Sequence, residues 1–377
     1  NPGQELFLHL DINLQKVASE VLADYNGAIV ALELKTGGVL AMVSKPDFNP
    51  NSFVSGISSK EYNLLRDSAD RPLFDRSIRG HYPPASTLKP FVALAGLESG
   101  LIKSNSKTFC PGWYKLPGHD HRYRCWKTHG HGIVDLKQSL AQSCDVYFYD
   151  LANSMGINQL HGFLDHFGFG HLTGIDVPSE SSGLSPSREW KIKAKNQVWY
   201  PGETLISGIG QGFNQTTPIQ LAQATAILAM RGEHIKPKVA RAIRAHNADE
   251  LTLLSGESAE SLPVINKKHW ESVVDSMVEV TKGRRGTARL LGKTLPFNVA
   301  GKTGTAQVFG IKQNQKYDVE TLEKKLQDHA LFVGFAPAEN PEFVVVVVAE
   351  NGGSGSKVAA PMAKKMIEQY FGLVAND

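Results

Sequence analysis

Gly27-Ala-Ile-Val-Ala-Leu-Glu-Leu34, then Lys35-Thr-Gly-Gly38, then Val39-Leu-Ala-Met-Val43: alternating apolar, β-branched runs on either side of a glycine turn read as a strand–turn–strand hairpin. Just before it, Leu14, Val17, Ala18, Val21 and Leu22 recur at helical spacing behind Asp11, a residue suited to cap that helix. Strand character of this quality returns only near the C-terminus, at 298–309, 330–336 and 343–350, and an amphipathic helical pattern over 359–371 follows. The hairpin and the three late strands predict one five-stranded, mainly antiparallel sheet covered by helices from both chain ends. The fold class expected is therefore α/β in the α+β sense, with a largely helical insert. The sheet part comprises 1–50 and 285–377, and the helical part 51–284.

Within the insert, 45–83 reads as polar connector with a short helix near 60–67, and a helical pattern runs from Ser86 until Gly100 stops it. Residues 104–133 form a long irregular stretch with clustered histidines and aromatics, and loops of that length are usually functional or held by a constraint. Residues 134–235 read as mostly helical, most clearly over 136–155, 159–167 and 217–231, with a mixed stretch over 236–265 and helix again at 267–282. The polar segment 313–327 reads as a mobile loop between two strands.

At 377 residues the chain has room for about two or three structural units. Its hydrophobic fraction of 41% is that of a globular protein with a sizeable core. Lys+Arg 40 against Asp+Glu 37 leaves a net charge of +3, too even for a nucleic-acid binder. The longest apolar run with strand character, Phe343 to Ala349, falls far short of the ~18 residues of a membrane span. No signal peptide is visible, and the abrupt start at Asn1 reads as a fragment of a longer protein.

Three short patterns carry chemistry. Tyr82-Pro-Pro-Ala-Ser86-Thr-Leu-Lys89-Pro places a hydroxyl and an amine three apart at a helix start, so they share a face. A serine needs a base to take its proton, and a lysine serves only when its pKa is lowered. Ser143-Cys144-Asp145 sets two polar side chains at i and i+2, able to enter one cleft while Cys144 turns away. Lys302-Thr303-Gly304-Thr305 lies in a strand pattern whose backbone a substrate can pair with; Gly304 allows close approach and Lys302 brings a second cation beside Lys89. Each pattern alone is common by chance, but together and in this order they form the set of penicillin-recognising serine enzymes. Lys35-Thr36-Gly37 repeats the third pattern, but at a hairpin tip ahead of Ser86, and reads as turn chemistry only.

The chain accordingly resembles the transpeptidase domain of class B penicillin-binding proteins, in particular the group serving cell elongation in Gram-negative bacteria. Arg76-Ser-Ile-Arg-Gly-His-Tyr-Pro-Pro-Ala-Ser86-Thr-Leu-Lys89-Pro carries the resemblance, with Pro111-Gly-Trp-Tyr, Arg122-Tyr-Arg-Cys-Trp126, Gly130-His-Gly and Gly168-Phe-Gly. Gly208-Ile-Gly-Gln-Gly212, Thr217-Pro-Ile-Gln and Ala300-Gly-Lys302-Thr-Gly-Thr-Ala-Gln307 extend it over essentially the whole chain. Asp145 stands where many of these enzymes carry Asn. The resemblance implies the penicillin-recognising transpeptidase fold, with the active site where the sheet and helical parts meet. It also implies a peptidoglycan D,D-transpeptidase in which Ser86 attacks the penultimate D-alanine carbonyl of a stem peptide. Lys89 would accept the serine proton, Ser143 relay one to the leaving amine, and Lys302 hold that network's charge. Asp145 would orient its neighbours, Thr303, Gly304 and Thr305 would bind substrate, and the N–H groups of Ser86 and Thr305 would form the oxyanion hole. β-Lactams would acylate Ser86. A periplasmic site on the inner membrane, through an N-terminal anchor and a pedestal outside this chain, and partnership with the membrane glycosyltransferase and scaffold proteins of the rod complex follow from resemblance alone. Three other readings share the motifs: a D,D-carboxypeptidase, a serine β-lactamase, and a β-lactam sensor without transfer activity. Between Cys144 and Lys302 no glutamate motif suggests the deacylating base a β-lactamase needs.

All three cysteines, Cys110, Cys125 and Cys144, fall between 110 and 144, and an odd number cannot close a disulfide framework. The implied periplasm is oxidising, so reduced thiols there need a reason. With His131 they make a Cys3His set of the kind that holds structural zinc. His129 is the alternative fourth ligand, while His119 and His121 read as a solvated turn. A Cys110–Cys125 disulfide with Cys144 buried and free, or three unrelated buried thiols, are the competing readings.

Overall fold

Seven consecutive apolar residues, Phe343–Ala349, make a stable strand only when both of its faces are buried, and every one of them is. The structure is a computed structural model that describes residues 3–246, 249–254, 262, 266–308 and 323–373. Its strands are β1 (Glu5–Leu8), β2 (Gly27–Glu33), β3 (Val39–Lys45), β4 (Thr108–Cys110), β5 (Trp113–Lys115) and β6 (Arg122–Arg124) in the first part of the chain. They continue with β7 (Gly132–Val134), β8 (Ala240–Arg244), β9 (Thr252–Leu253), β10 (Ala300–Ala306), β11 (His329–Ala336) and β12 (Phe343–Ala349). The central sheet runs β10-β11-β12-β2-β3, all antiparallel, so the N-terminal hairpin is stitched to the last strand by the register Val345↔Ala31 and Val347↔Ile29. This is the expected five-stranded sheet.

Side chains alternate across it, and each face has its own core. Val344, Val346 and Val348 join Val30, Leu32 and Val333 on one face, while Val345 and Val347 join Ile29, Ala31 and Phe332 on the other. The second face is covered by the terminal helices, Ile12–Val21 through Leu14 and Ala18, and Ala360–Tyr370 through Met362, Met366 and Ile367. Asp11 caps the first of these, accepting hydrogen bonds from the Asn13 and Leu14 amides. The first face carries the helices Lys89–Glu98 and Pro218–Ala229, the latter buried along its whole length.

Several elements depart from the sequence reading. Residues 104–133 are not structureless: β4 pairs with β7 and β5 with β6, in two small ladders. Three-residue strands are too short for a period to show. The helical pattern over 136–155 is two helices, Leu136–Ala141 and Asp145–Met155, broken at Ser143, whose φ of 56° is left-handed. At the chain start, β1 pairs with β8, a small sheet the sequence did not announce. The Lys35-Thr36-Gly37 repeat is turn, as expected: the Thr36 amide donates to Glu33 at 2.9 Å, and Gly37, at φ 74°, lies where a Cβ would come 2.5 Å from the Lys236 carbonyl. Of the loop expected at 313–327, residues 313–322 lie outside the described residues, as does 309, and the remainder includes a short 3-10 turn, Lys324–Leu326. No described helix is long and apolar enough to cross a membrane.

Candidate active site

Ser86 sits half-buried in a 3-10 turn, Ala85–Leu88, that feeds directly into the helix Lys89–Glu98. The turn is pinned from below: the Ala85 amide donates to Gly210 O at 2.8 Å, and a Cβ on Gly210 would come 2.2 Å from Ala85 O. Ala85 itself has a left-handed φ of 49°. Two non-glycine residues, Ala85 and Ser143, are thus held in a sparsely populated conformation at the Ser86 and Ser143 hydroxyls, and such strain tends to collect at functional sites.

Lys89 is fully buried. Its ammonium donates to Asp145 Oδ1 at 2.6 Å, to Ser143 O at 3.0 Å and to Ser143 Oγ at 3.3 Å, and it lies over the Phe148 ring. Among the described residues, none of its hydrogen bonds goes to Ser86. Lys302, also fully buried, donates to Ser143 Oγ at 2.9 Å and to Thr303 O at 3.0 Å. Ser143 Oγ is therefore the hub between two lysines. Burial and the neighbouring Lys89 ammonium push Lys302 well below the ordinary lysine range, against the pull of Asp145. Burial likewise pushes the Asp145 carboxyl up, against Lys89. The second cation expected beside Lys89 is there, joined to it through Ser143 Oγ.

β10 forms the edge of the central sheet, with only β11 beside it there, so its other side faces the cleft. Thr303 meets Thr287, their hydroxyl oxygens 2.9 Å apart, and exposed Thr305 accepts at its carbonyl from Gln211 Nε2 at 3.0 Å. Gly304 has a different reason from the one expected. A Cβ there would come 2.9 Å from Thr87 Cγ2 and 3.2 Å from Pro84 O, so the neighbour it admits is the serine's own turn.

Behind the cleft, Cys110, Cys125, His131 and Cys144 converge. Their ligand atoms all lie within 4.8 Å of one another, and His131 Nδ1 is 3.6 Å from Cys110 Sγ and 3.5 Å from Cys125 Sγ. The cysteines are buried and free, so the Cys110–Cys125 disulfide is not formed. The Cys144 side chain pulls the Cys125 thiol down to about 3, and the same contact pushes Cys144 up. Three soft sulfur donors and one imidazole at this spacing suit a closed tetrahedral site. His129 is not in the cluster.

Sequence reasoning did not assign a role to Trp126. Its amide donates to Asp145 Oδ2 at 2.9 Å and its indole to Ser143 O and Gln142 O, both at 3.1 Å, so the residue after Cys125 holds both polar members of the second motif. Thr287 and Gln211 were equally unassigned. Neither has a spacing signal, because both act from other elements. Arg76 and Tyr82 converge on Glu350, at 2.8 and 2.7 Å, and tie the segment leading to Ser86 onto the end of β12.

Residues 27–368 match the model of the penicillin binding protein transpeptidase domain. The chain is 45% identical over 369 residues to the peptidoglycan D,D-transpeptidase MrdA of Acinetobacter baumannii, covering 98% of this chain and 54% of that protein. The chain thus spans about half the length of that relative. It superimposes on Pseudomonas aeruginosa PBP2, solved with WCK 5153, with a TM-score of 0.89 at 49% identity, covering 98% of this chain and 76% of that one. Helicobacter pylori PBP2, solved in complex with MreC, gives a TM-score of 0.84 at 32% identity, covering 98% and 64%.

Proposed function

The chain belongs to the penicillin-binding protein transpeptidase family, and from that premise we propose that it is a peptidoglycan D,D-transpeptidase of the cell-elongation type, acting on stem peptides and acylated by β-lactams. The observation that carries the reading is the buried Lys89–Ser143–Lys302 network beside the Ser86 turn, with Asp145 clamping Lys89 at 2.6 Å. Burying such a network costs folding energy, and buried, charge-coupled groups of this kind gather where protons must move.

In this reading Ser86 Oγ bonds to the penultimate D-alanine carbonyl carbon while its proton passes to Lys89 Nζ. The carbonyl oxygen, briefly anionic, is met by the Ser86 and Thr305 amides. The bond to the terminal D-alanine breaks as Ser143, linked to Lys302, protonates the departing nitrogen. Asp145 positions Lys89, and Thr303, Gly304 and Thr305 present the β10 edge and the hydroxyls that receive the peptide and its carboxylate. An acceptor amine then takes the acyl group and Ser86 regains its proton.

The four-residue Cys/His cluster supports a structural zinc ion held by Cys110, Cys125, Cys144 and His131. Zinc there would stiffen the 104–133 loop against the second motif and takes no part in bond breaking. Peptidoglycan as substrate puts the enzyme at the periplasmic face of the inner membrane; the solved PBP2–MreC complex supports a scaffold partner of the MreC kind, and a solved peptidoglycan synthase complex that coordinates polymerization and crosslinking supports a glycosyltransferase partner.

Incubation with a stem pentapeptide and a second stem peptide as acceptor tests the reading. It expects cross-linked dimer that disappears with Ser86→Ala; tetrapeptide released by water alone, with no dimer, would make the chain a carboxypeptidase.

A further inference from the structure

β10 carries the third motif on a sheet edge, and an edge strand turns N–H and C=O groups outward as a template for any extended chain. In an antiparallel strand the N–H and C=O of one residue point to the same side, and successive residues alternate. Thr305 O accepts from Gln211 Nε2 at 3.0 Å, and Thr303 O accepts from Lys302 Nζ at 3.0 Å. Residues 303 and 305 are therefore the ones turned away from β11, and both of their carbonyls are taken by the protein's own side chains.

A fixed turn delivers Gln211 to that edge. Its amide donates to Ile206 O at 3.1 Å, and its carbonyl accepts from Asn214 Nδ2 at 2.9 Å. Gly210 and Gly212 flank it, each with a left-handed φ of 73°, and Gly210 O also holds the Ala85 amide beneath Ser86. The backbone of Gln211 is thus anchored several times over. Its side chain is not: among the described residues the hydrogen bond to Thr305 O is the only one it makes.

We infer that Gln211 is a specificity residue, whose side-chain amide caps the Thr305 carbonyl in the empty cleft and competes there with the backbone N–H of the acyl donor's penultimate residue. The inference rests on the transpeptidase reading and adds a selection to it. In that reading the Thr305 amide meets the carbonyl oxygen of the residue under attack. Antiparallel partners exchange both of their hydrogen bonds, so the N–H of that same donor residue is the group matched to Thr305 O. A donor that carries this N–H must take the acceptor from Gln211. A donor that lacks it leaves Gln211 in place. The cap blunts an edge that would otherwise pair with extended chains in any register, and part of the donor's own hydrogen bond is given up in exchange.

Two thioesters test the competition: N-benzoyl-D-alanyl thioglycolate, and its D-lactyl counterpart with an ester oxygen in place of the N–H. With either, Ser86 Oγ bonds to the carbonyl carbon, the C–S bond breaks and the thiol leaves with the serine proton. The kcat/KM for thiol release reports acylation by each donor. Gln211→Ala, and Gln211→Met with its similar length and no donor group, should each raise the alanyl to lactyl ratio about three- to tenfold, the range for one hydrogen bond. Taking the ratio cancels any general change in the amount or alignment of active enzyme. An unchanged ratio, as when Thr305 O accepts from both groups at once or Gln211 only braces its turn, overturns the competition and leaves the transpeptidase reading intact. A ratio that falls overturns it too. The unaltered chain acylated by neither donor overturns the transpeptidase reading, and the cap with it.

Discussion

A lysine removed from water is costly to keep charged, and this site buries two, Lys89 and Lys302, within reach of one serine hydroxyl. One has a carboxylate partner and the other has only a hydroxyl and a carbonyl, which is why burial depresses Lys302. Replacing Lys302 by Met removes a buried amine that the proposed mechanism needs and the fold does not. Penicillin acylation of the Lys302→Met variant should fall about a hundredfold or more in stopped-flow, while the melting temperature holds or rises. A melting temperature that falls along with the rate would make Lys302 a structural residue. The proposed catalytic residues could be picked out of the sequence only because three patterns, each common by chance, occur together and in one order. The partners of those residues could not: Trp126 reaches Asp145 and Ser143 from a neighbouring ladder, and no periodicity links them.

At the level of elements, β10 and the 104–133 loop divide the work. The strand presents a free edge to the cleft, and the loop backs the second motif through the Cys/His cluster. Long strands with both faces buried, such as β12, announced themselves as apolar runs. The three-residue ladders around Cys110 and Cys125 did not, since what holds them is the convergence of donors from 110, 125, 131 and 144. If zinc occupies the cluster, chelation or Cys144→Ser should lower the melting temperature by about 5 °C or more and slow acylation by displacing Ser143 and Asp145. Unchanged melting and acylation would remove zinc from the account. β11 offers a separate test. Burial pushes His329 below its ordinary value of 6.5, and its neutral Nδ1 accepts from the Asn351 amide at 3.0 Å. A histidine depressed in the folded state leaves the unfolded chain binding more protons, so its share of stability is complete above 6.5 and lost as pH falls through the folded value. Denaturation midpoints between pH 7 and 5 should therefore fall less steeply for His329→Gln than for the unaltered chain; parallel profiles would assign the acid sensitivity to other groups.

For the whole molecule, the sheet joins sequence positions more than three hundred residues apart, through Val347↔Ile29 and its neighbours. Ser86, the second motif and β10 are brought together only because that sheet closes: Arg76 and Tyr82 bind Glu350 at the end of β12, and Gly304 admits the Ser86 turn. The cleft is thus a product of the complete fold, which is why three short patterns spread over most of the chain had to be read jointly. The central claim is that this assembled cleft makes Ser86 a nucleophile. Intact-mass and peptide-mapping mass spectrometry of the chain after exposure to benzylpenicillin tests it directly. One stable covalent adduct on Ser86, absent from Ser86→Ala, is the result the account predicts. Penicillin left untouched, or consumed with no lasting adduct on Ser86, would contradict it.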